Sequence, residues 1–333
     1  MNTIDDYKRA FSKLRQDSSA ARWPISTNHR APYKPFLLLS VLDLIAQGII
    51  TNNFVTLDAD LMDTFDLYWI KVMGHDHKGN IVMPFYHLKS DGFWHLVPQS
   101  GMEQVLTTIK QVPSLRQLNQ LVAGVQLNEA LFTLLLQANS RDTLRQVLIE
   151  HYFPPETRTK LVEVGRITAE SFEYSRELLD RLRGTFRLQE APTEYYYHTE
   201  SRSTGFRRVV VKAYDHTCAI CGIRIRTPEG RTAVAAAHIV PWSFSHNDDP
   251  RNGLALCGLH HWTFDQGMLG ISPEYQIQVS PIVDREDSAT EMLRILHNQT
   301  ITLPKVSYLL PAKTALKWHI NNIFRVKNAS DWI

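Results

Sequence analysis

The residues best suited to chemistry are three cysteines and the histidines that follow them. Cys218, Cys221 and Cys257 are all the cysteines of the chain. Cys218 and Cys221 stand in TCAICG (217–222), a spacing at which both thiolates reach one tetrahedral ion from a tight knuckle. Cys257 and His260, in NGLALCGLHHWTFDQG (252–267), repeat that spacing. CxxC followed by CxxH has the ligand number and types of a structural zinc site, and an odd cysteine count argues against a disulfide framework. Buried thiols beside a surface histidine are the competing account; the confinement of every cysteine to the pattern favours zinc. Between the two halves, AAAHIVPW (235–242) ends an apolar, strand-like run on His238, and a polar loop, SHNDDPRNG (245–253), leads to Asn252. A lone histidine on an apolar strand is ordinarily a satisfied core residue. Here His238, Asn252 and His261 recur around a zinc knuckle.

The motifs CAIC, AAHIVPW, NGLALC and LHHWTFDQG, in that order, resemble those of HNH nuclease domains of the ββα-metal type. The tail LPKVSYLLPAKTALKWHINNIF (303–324) resembles the end of HNH restriction-type endonucleases. The resemblance implies that His238 is the general base activating water against a phosphodiester, a role that suits a side chain titrating near working pH. It implies that His261 ligates a catalytic Mg2+ or Mn2+ that stabilises charge on the phosphate and the leaving oxygen. Asn252 would orient the loop and the His238 imidazole, or approach the metal. Asp265, four residues beyond His261, would reach His261 or the metal, or else be a helix-terminal surface acid; His238 itself is a further candidate ligand of that ion. Many HNH domains carry Asp or His just before the catalytic histidine, where this chain has Ala237. His260 is assigned to zinc, with an exchange of roles with His261 left open. Arg207, Arg208 and Lys212 before the knuckle, and Arg224, Arg226 and Arg231 after it, would hold DNA phosphates or form a solvated face.

Two stretches of the first hundred residues, RAPYKPFLLLSVLDL (30–44) and IVMPFYHLKSDGFWHL (81–96), resemble the sulfur-binding domains of restriction enzymes that cut phosphorothioate-modified DNA. That resemblance implies a pocket lined by Pro84, with Phe85, Tyr86 and His87 nearby and with Arg30 and Lys34 on adjacent phosphates. Sulfur is larger and less well hydrated than oxygen, so an apolar pocket accepts it and penalises an oxygen that loses water without gaining a hydrogen bond. Met83 and His87 stand where that family has an aromatic and a small residue. The alternative is that 84–88 and 93–96 form a core hairpin.

The elements that must position these residues follow from periodicity. Ile4, Tyr7, Phe11 and Leu14 have helical spacing, 36–45 reads as a strongly apolar helix, and 56–69 as an amphipathic one. Residues 81–87 and 93–97 read as strands joined at Asp91-Gly92. From 101 to 152 the pattern is helical, with Ser140 as an N-cap and Pro154-Pro155 as a stop; 157–187 reads as an exposed, mixed-charge helix whose far end is marked by Tyr195-Tyr196-Tyr197. Helices are expected near 288–297 and 312–324. The fold class is α+β: a mixed α/β DNA-reading domain (1–155), a helical connector (156–200) and a C-terminal ββα-metal domain with a zinc knuckle (201–333).

Composition bounds what this can be. Of 333 residues, 44% are hydrophobic, and 36 basic residues against 34 acidic leave a net charge of +2. That excludes a polycation binding nucleic acid by bulk charge, and the 10% aromatic content excludes a disordered chain. The start shows no signal-peptide pattern, and 36–50, interrupted by Asp43 and Gln47, is too short and polar to span a bilayer, so a cytoplasmic protein without a membrane partner is expected. The combined expectation is a modification-dependent restriction endonuclease acting on modified double-stranded DNA, with homodimerisation to supply a second active site. The alternatives are an HNH defence nuclease whose N-terminal domain binds a protein or small effector, and a catalytically dead zinc module; His238, Asn252 and His261 argue against the last.

Overall fold

The computed structural model describes residues 2–77, 79–112, 114–190, 197–227, 231–283 and 290–326. The chain divides into two compact units: Met1–Ala169 with Thr227–Arg231, and Glu170–Arg226 with Thr232–Ile333.

The first unit holds helices α1 (Ile4–Phe11), α2 (Tyr33–Ala46), α3 (Ala59–Met73), α4 (Val82–His87), α5 (Glu103–Thr108), α6 (Leu115–Leu121), α7 (Glu129–Leu135) and α8 (Ala138–Tyr152), and strands β1 (Trp94–Pro98) and β2 (Val122–Leu127). Thr3 and Asp6 close a capping box on α1, and Asp58 accepts from the Leu61 amide to start α3. Helix α2 is buried along almost its whole length, as its largely apolar sequence demands, with Lys34, Ser40 and Asp43 as its buried polar residues. Burial raises the Asp43 pKa, and the Arg145 guanidinium opposes that rise. The Tyr68 hydroxyl (2.8 Å), Arg145 (2.5 Å) and the Thr168 hydroxyl (3.0 Å) all donate to this carboxylate.

Four expectations are corrected here. Residues 81–87 are not a strand: they form α4, whose Val82, Phe85 and Tyr86 turn into the core at helical spacing. Asp91-Gly92 is not a two-residue hairpin; 88–91 form a 3-10 turn that ends on Gly92 in the left-handed region (φ 82°). The partner of β1 is β2, antiparallel with Trp94 opposite Leu127, and β2 lies in a stretch read as helical. VAGVQL is too short to show its period, and pairing with β1 decides its conformation. Helix α8 starts at Ala138 after Gln137, so Ser140 lies inside it and is not its N-cap.

Helix α9 (Pro155–Arg181) runs for 27 residues across the division at 169/170. It is not simply exposed: Leu161 and Val164 belong to the first core, Tyr174 and Leu178 to the second. Tyr195 and Tyr196, expected beyond its end, lie outside the described residues.

The second unit holds α10 (Thr199–Ala213), β3 (Val234–His238), α11 (Trp242–Ser245), β4 (Gly253–Cys257), α12 (Gly258–Asp265), β5 (Leu269–Ile271), β6 (Ile277–Val279), α13 (Glu291–Arg294) and α14 (Lys313–Asn322). The first part of the helix expected at 288–297 lies outside the described residues. Strands β3 and β4 pair antiparallel, with His238 opposite Gly253, and α12 follows directly. Helix α10 packs against both strands. Gly253 permits that approach: a Cβ there would lie 2.5 Å from Val210 Cγ2 and 3.0 Å from Phe206 Cζ. Among the described residues no helix is long and apolar enough to cross a membrane.

Candidate active site and metal centre

The knuckle is a turn closed by backbone bonds. The Cys218 amide donates to the Ile223 carbonyl and the Gly222 amide to the Cys218 carbonyl. Gly222 sits at φ 68°, a conformation that disfavours any residue with a Cβ. The end of β4 and the first turn of α12 bring Cys257 and His260 to meet it. The three sulfurs and one His260 nitrogen lie within 4.8 Å of one another, with His260 Nδ1 3.2 Å from Cys257 Sγ and 3.5 Å from Cys218 Sγ. Burial pushes the Cys218 thiol up, but the hydrogen bond with His260 and surrounding amide donors outweigh it and bring it down to about 6. Burial, together with the neighbouring Cys218 thiolate, pushes Cys221 up to about 12 and raises Cys257. Protein groups alone thus favour one thiolate and disfavour the next two, which is the imbalance a dication removes. The donor set fits zinc.

The second constellation opens onto a cavity of about 280 Å³ lined by His238, Ile239, Pro241, Trp242, His261, Asp265, His319 and Ile323. His238 ends β3. Its imidazole stacks on Phe206 of α10 (centroids 4.1 Å apart, planes at 7°), and its Nε2 lies 2.7 Å from Asp248 Oδ1. Ala237, the preceding residue, is buried in the core. His261 and Asp265 sit one turn apart on α12, with His261 Nε2 3.5 Å from Asp265 Oδ2. Burial raises the Asp265 pKa, against the pull of His261 and His238. Adjacent positions on α12 therefore face different ways: His260 joins the thiols and His261 the cavity.

Asn252 is fully buried and lies away from the cavity lining. Its Oδ1 accepts from the Val240 amide (2.9 Å), and its Nδ2 donates to the carbonyls of Val240 and Asn247 (both 3.0 Å). It staples the loop between His238 and β4. The rest of that loop is built from short polar side chains bonding their own backbone: Asn247 Oδ1 accepts the Asp249 amide, and Asp249 Oδ1 accepts the Arg251 amide.

Some residues at this site escaped the motif reading. Asp248, 3% exposed at its side chain, forms an ion pair with Arg202 (Nε to Oδ2 2.8 Å) as well as facing His238, and accepts from the Tyr174 hydroxyl (2.9 Å). Its signal was an acid in the polar loop between two motif residues. His319, from α14, stacks on Phe264 and lines the cavity; only the three-dimensional return of the tail reveals it. Of the basic residues, Arg207 donates to the Val234 carbonyl, Arg208 lies over the Phe172 ring, and Arg224 pairs with Asp215.

The residues expected to read DNA in the first unit are placed differently. Pro84, Phe85 and Tyr86 are buried in α4; Phe85 meets Trp94 edge-on, and the Tyr86 hydroxyl donates to the Ile109 carbonyl (2.5 Å). His87 is half-buried, and burial, with Lys34 and Lys89 nearby, lowers its pKa. Lys34 is 8% exposed and bound to Asp91 at 2.5 Å, while Arg30 is exposed. Apolar burial accounts for Pro84, Phe85 and Tyr86, and a charge pair for Lys34.

Comparison with known proteins agrees with the geometry of the second unit. Residues 218–272 match the family HNH_2, described as HNH endonuclease. A solved structure, a "Modification dependent TagI restriction endonuclease", is similar over 36% of this chain and 38% of its own, at 22% identity and a TM-score of 0.28, which establishes no common fold. No curated protein matches. The ββα arrangement of β3, β4 and α12 lies within the residues that match the HNH endonuclease family.

Proposed function

We propose that the protein is a modification-dependent endonuclease in which the second unit hydrolyses DNA phosphodiester bonds and the first limits where that happens. The observation that carries the catalytic part is the convergence of His238, His261 and Asp265 on one cavity. His238, held at Nε2, takes a proton from water at its other ring nitrogen as the water attacks phosphorus. His261 and Asp265 would hold the divalent ion, Mg2+ or Mn2+, which when bound stabilises charge on the phosphate and the leaving oxygen. Asn252 keeps the loop in place, and the thiols with His260 would keep a structural zinc. Arg207 and Arg208, on α10, are candidates to meet the DNA backbone. A nuclease that cut every duplex would damage its host, which supports a reader in the first unit. Modified DNA is its proposed target, with phosphorothioate as the candidate the sequence offers, and double-strand cleavage would bring two copies together.

The test is cleavage of unmodified, methylated, hydroxymethylated and phosphorothioated duplexes with Mg2+ and with Mn2+, by the full chain and by His238→Ala. The expected result is cleavage confined to one modified class and a loss of at least ~10²-fold in His238→Ala with DNA binding retained. Near-normal cleavage by His238→Ala would sink the base assignment. Equal cleavage of all duplexes would favour the second reading, an effector-gated nuclease.

A further inference from the structure

We propose that Asp248, held by Arg202 and Tyr174, is the positioning residue that fixes the tautomer and aim of the His238 imidazole. The inference rests on the reading of His238 as the base. A carboxylate oxygen only accepts, so the 2.7 Å contact places the imidazole proton on Nε2. The lone pair is then on Nδ1, on a residue that lines the cavity. Rotation of the ring is blocked on its face by Phe206, stacked at 4.1 Å.

Asp248 is itself immobilised. Oδ1 meets His238 Nε2, while Oδ2 accepts from the Tyr174 hydroxyl (2.9 Å) and lies 2.8 Å from Arg202 Nε in an ion pair. The Arg202 guanidinium balances the charge of a carboxylate that is 3% exposed, and it is held in turn over the Trp242 ring, 4.0 Å from the centroid. Trp242 also lines the cavity. The consequence is a chain of contacts from the wall of the cavity, through a buried ion pair, to the imidazole. As the water proton arrives at Nδ1, the ring becomes a cation, and Asp248 is placed to stabilise it. Nothing about Asn252 supplies this: its side chain is fully occupied by backbone groups of the loop.

Asp248→Asn tests the assignment on the full chain. An amide in that place can present its NH2 to Nε2, which moves the imidazole proton to Nδ1 and removes the base. The expected result is a fall in kcat of about 10³–10⁴-fold, the size produced by the same change at a protease aspartate, with KM and DNA affinity unchanged. Nitrogen-15 spectra of the His238 ring should show the proton moving from Nε2 to Nδ1, a signature a merely structural role would not produce. Asp248→Glu should recover part of the lost kcat by restoring an acceptor. If the Asn variant fails to fold, Tyr174→Phe decides: removal of that one hydroxyl lowers kcat about tenfold at constant KM, as a small misplacement of the base would. An Asp248→Asn enzyme, or a Tyr174→Phe enzyme where the first does not fold, with wild-type kcat overturns the assignment while His238→Ala remains inactive. Full activity in His238→Ala overturns the underlying reading instead.

Discussion

In the second unit, three polar residues chosen by motif share one cavity: His238 from the end of β3, His261 and Asp265 from α12. In the first unit, four of the six residues chosen by motif are buried. Pro84, Phe85 and Tyr86 are in the core, Lys34 is in a buried ion pair, His87 is half-buried and Arg30 is exposed. Both sets came from recognisable strings of sequence. The difference lies in what the residue types can otherwise do. Partly exposed histidines and an aspartate that converge on one cavity gain little from packing there, whereas proline, phenylalanine and tyrosine in an apolar run have packing as a complete explanation.

The contrast can be broken or sharpened by substitution. The largest effect is expected from Cys218→Ser. Removing one ligand from the thiol-imidazole cluster should unfold the second unit and abolish cleavage, because zinc binding worth about 10–16 kcal/mol in zinc-finger peptides is folding free energy. Zinc content by mass spectrometry and a melt of the full chain check it; a variant that melts as wild type would remove the structural metal from the account. Next comes Lys34→Met. If Lys34 serves the fold, the Asp91 carboxylate is left buried and unpaired, and the first unit loses about 3–5 kcal/mol in urea titration. Loss of DNA affinity at unchanged stability would instead restore Lys34 as a phosphate contact and narrow the contrast.

A third effect separates the cavity from the core by pH. Burial lowers the His319 pKa from 6.5 to about 4. The unfolded chain therefore takes up a proton that the folded chain refuses as pH drops below 6.5. The stability linked to neutral His319 is full above pH 6.5 and is lost as pH falls toward about 4. His319→Leu should flatten this part of the pH–stability curve by roughly 3 kcal/mol across that window, and an unchanged curve would show the ring to be solvated. The smallest effect is expected for Pro84→Ala: about 1 kcal/mol of lost stability and the same preference among DNA substrates. A changed preference would return Pro84 to the reading surface.

How far the sequence could be read follows the same division. CxxC and CxxH spacing carried the knuckle because ligand geometry and local spacing are nearly one fact. His238, Asn252 and His261 were picked out through motif order; His238 and His261 line one cavity, and the Asn252 side chain bonds loop backbone. Asp248 was not legible, since its role depends on Arg202 of α10 and Tyr174 of α9, far off in the chain. His319 was hidden for the same reason. In the first unit, α2 and α3 were readable from apolar periodicity over three or four turns. Helix α4 was mistaken for a strand because a short apolar run has no period to show, and β2 because strand pairing is decided by a partner more than twenty positions away.

The Asn252 staple has a consequence in hydrogen exchange. The Val240 amide lies outside any strand, yet it donates to a fully buried side-chain oxygen, and the neighbouring Ile239 amide donates to the Asn252 carbonyl. Both amides should exchange with solvent deuterium as slowly as those of β3 and β4, opening only when the ladder opens. The loop behind the base is then a cooperative part of the domain, rigid before any DNA arrives.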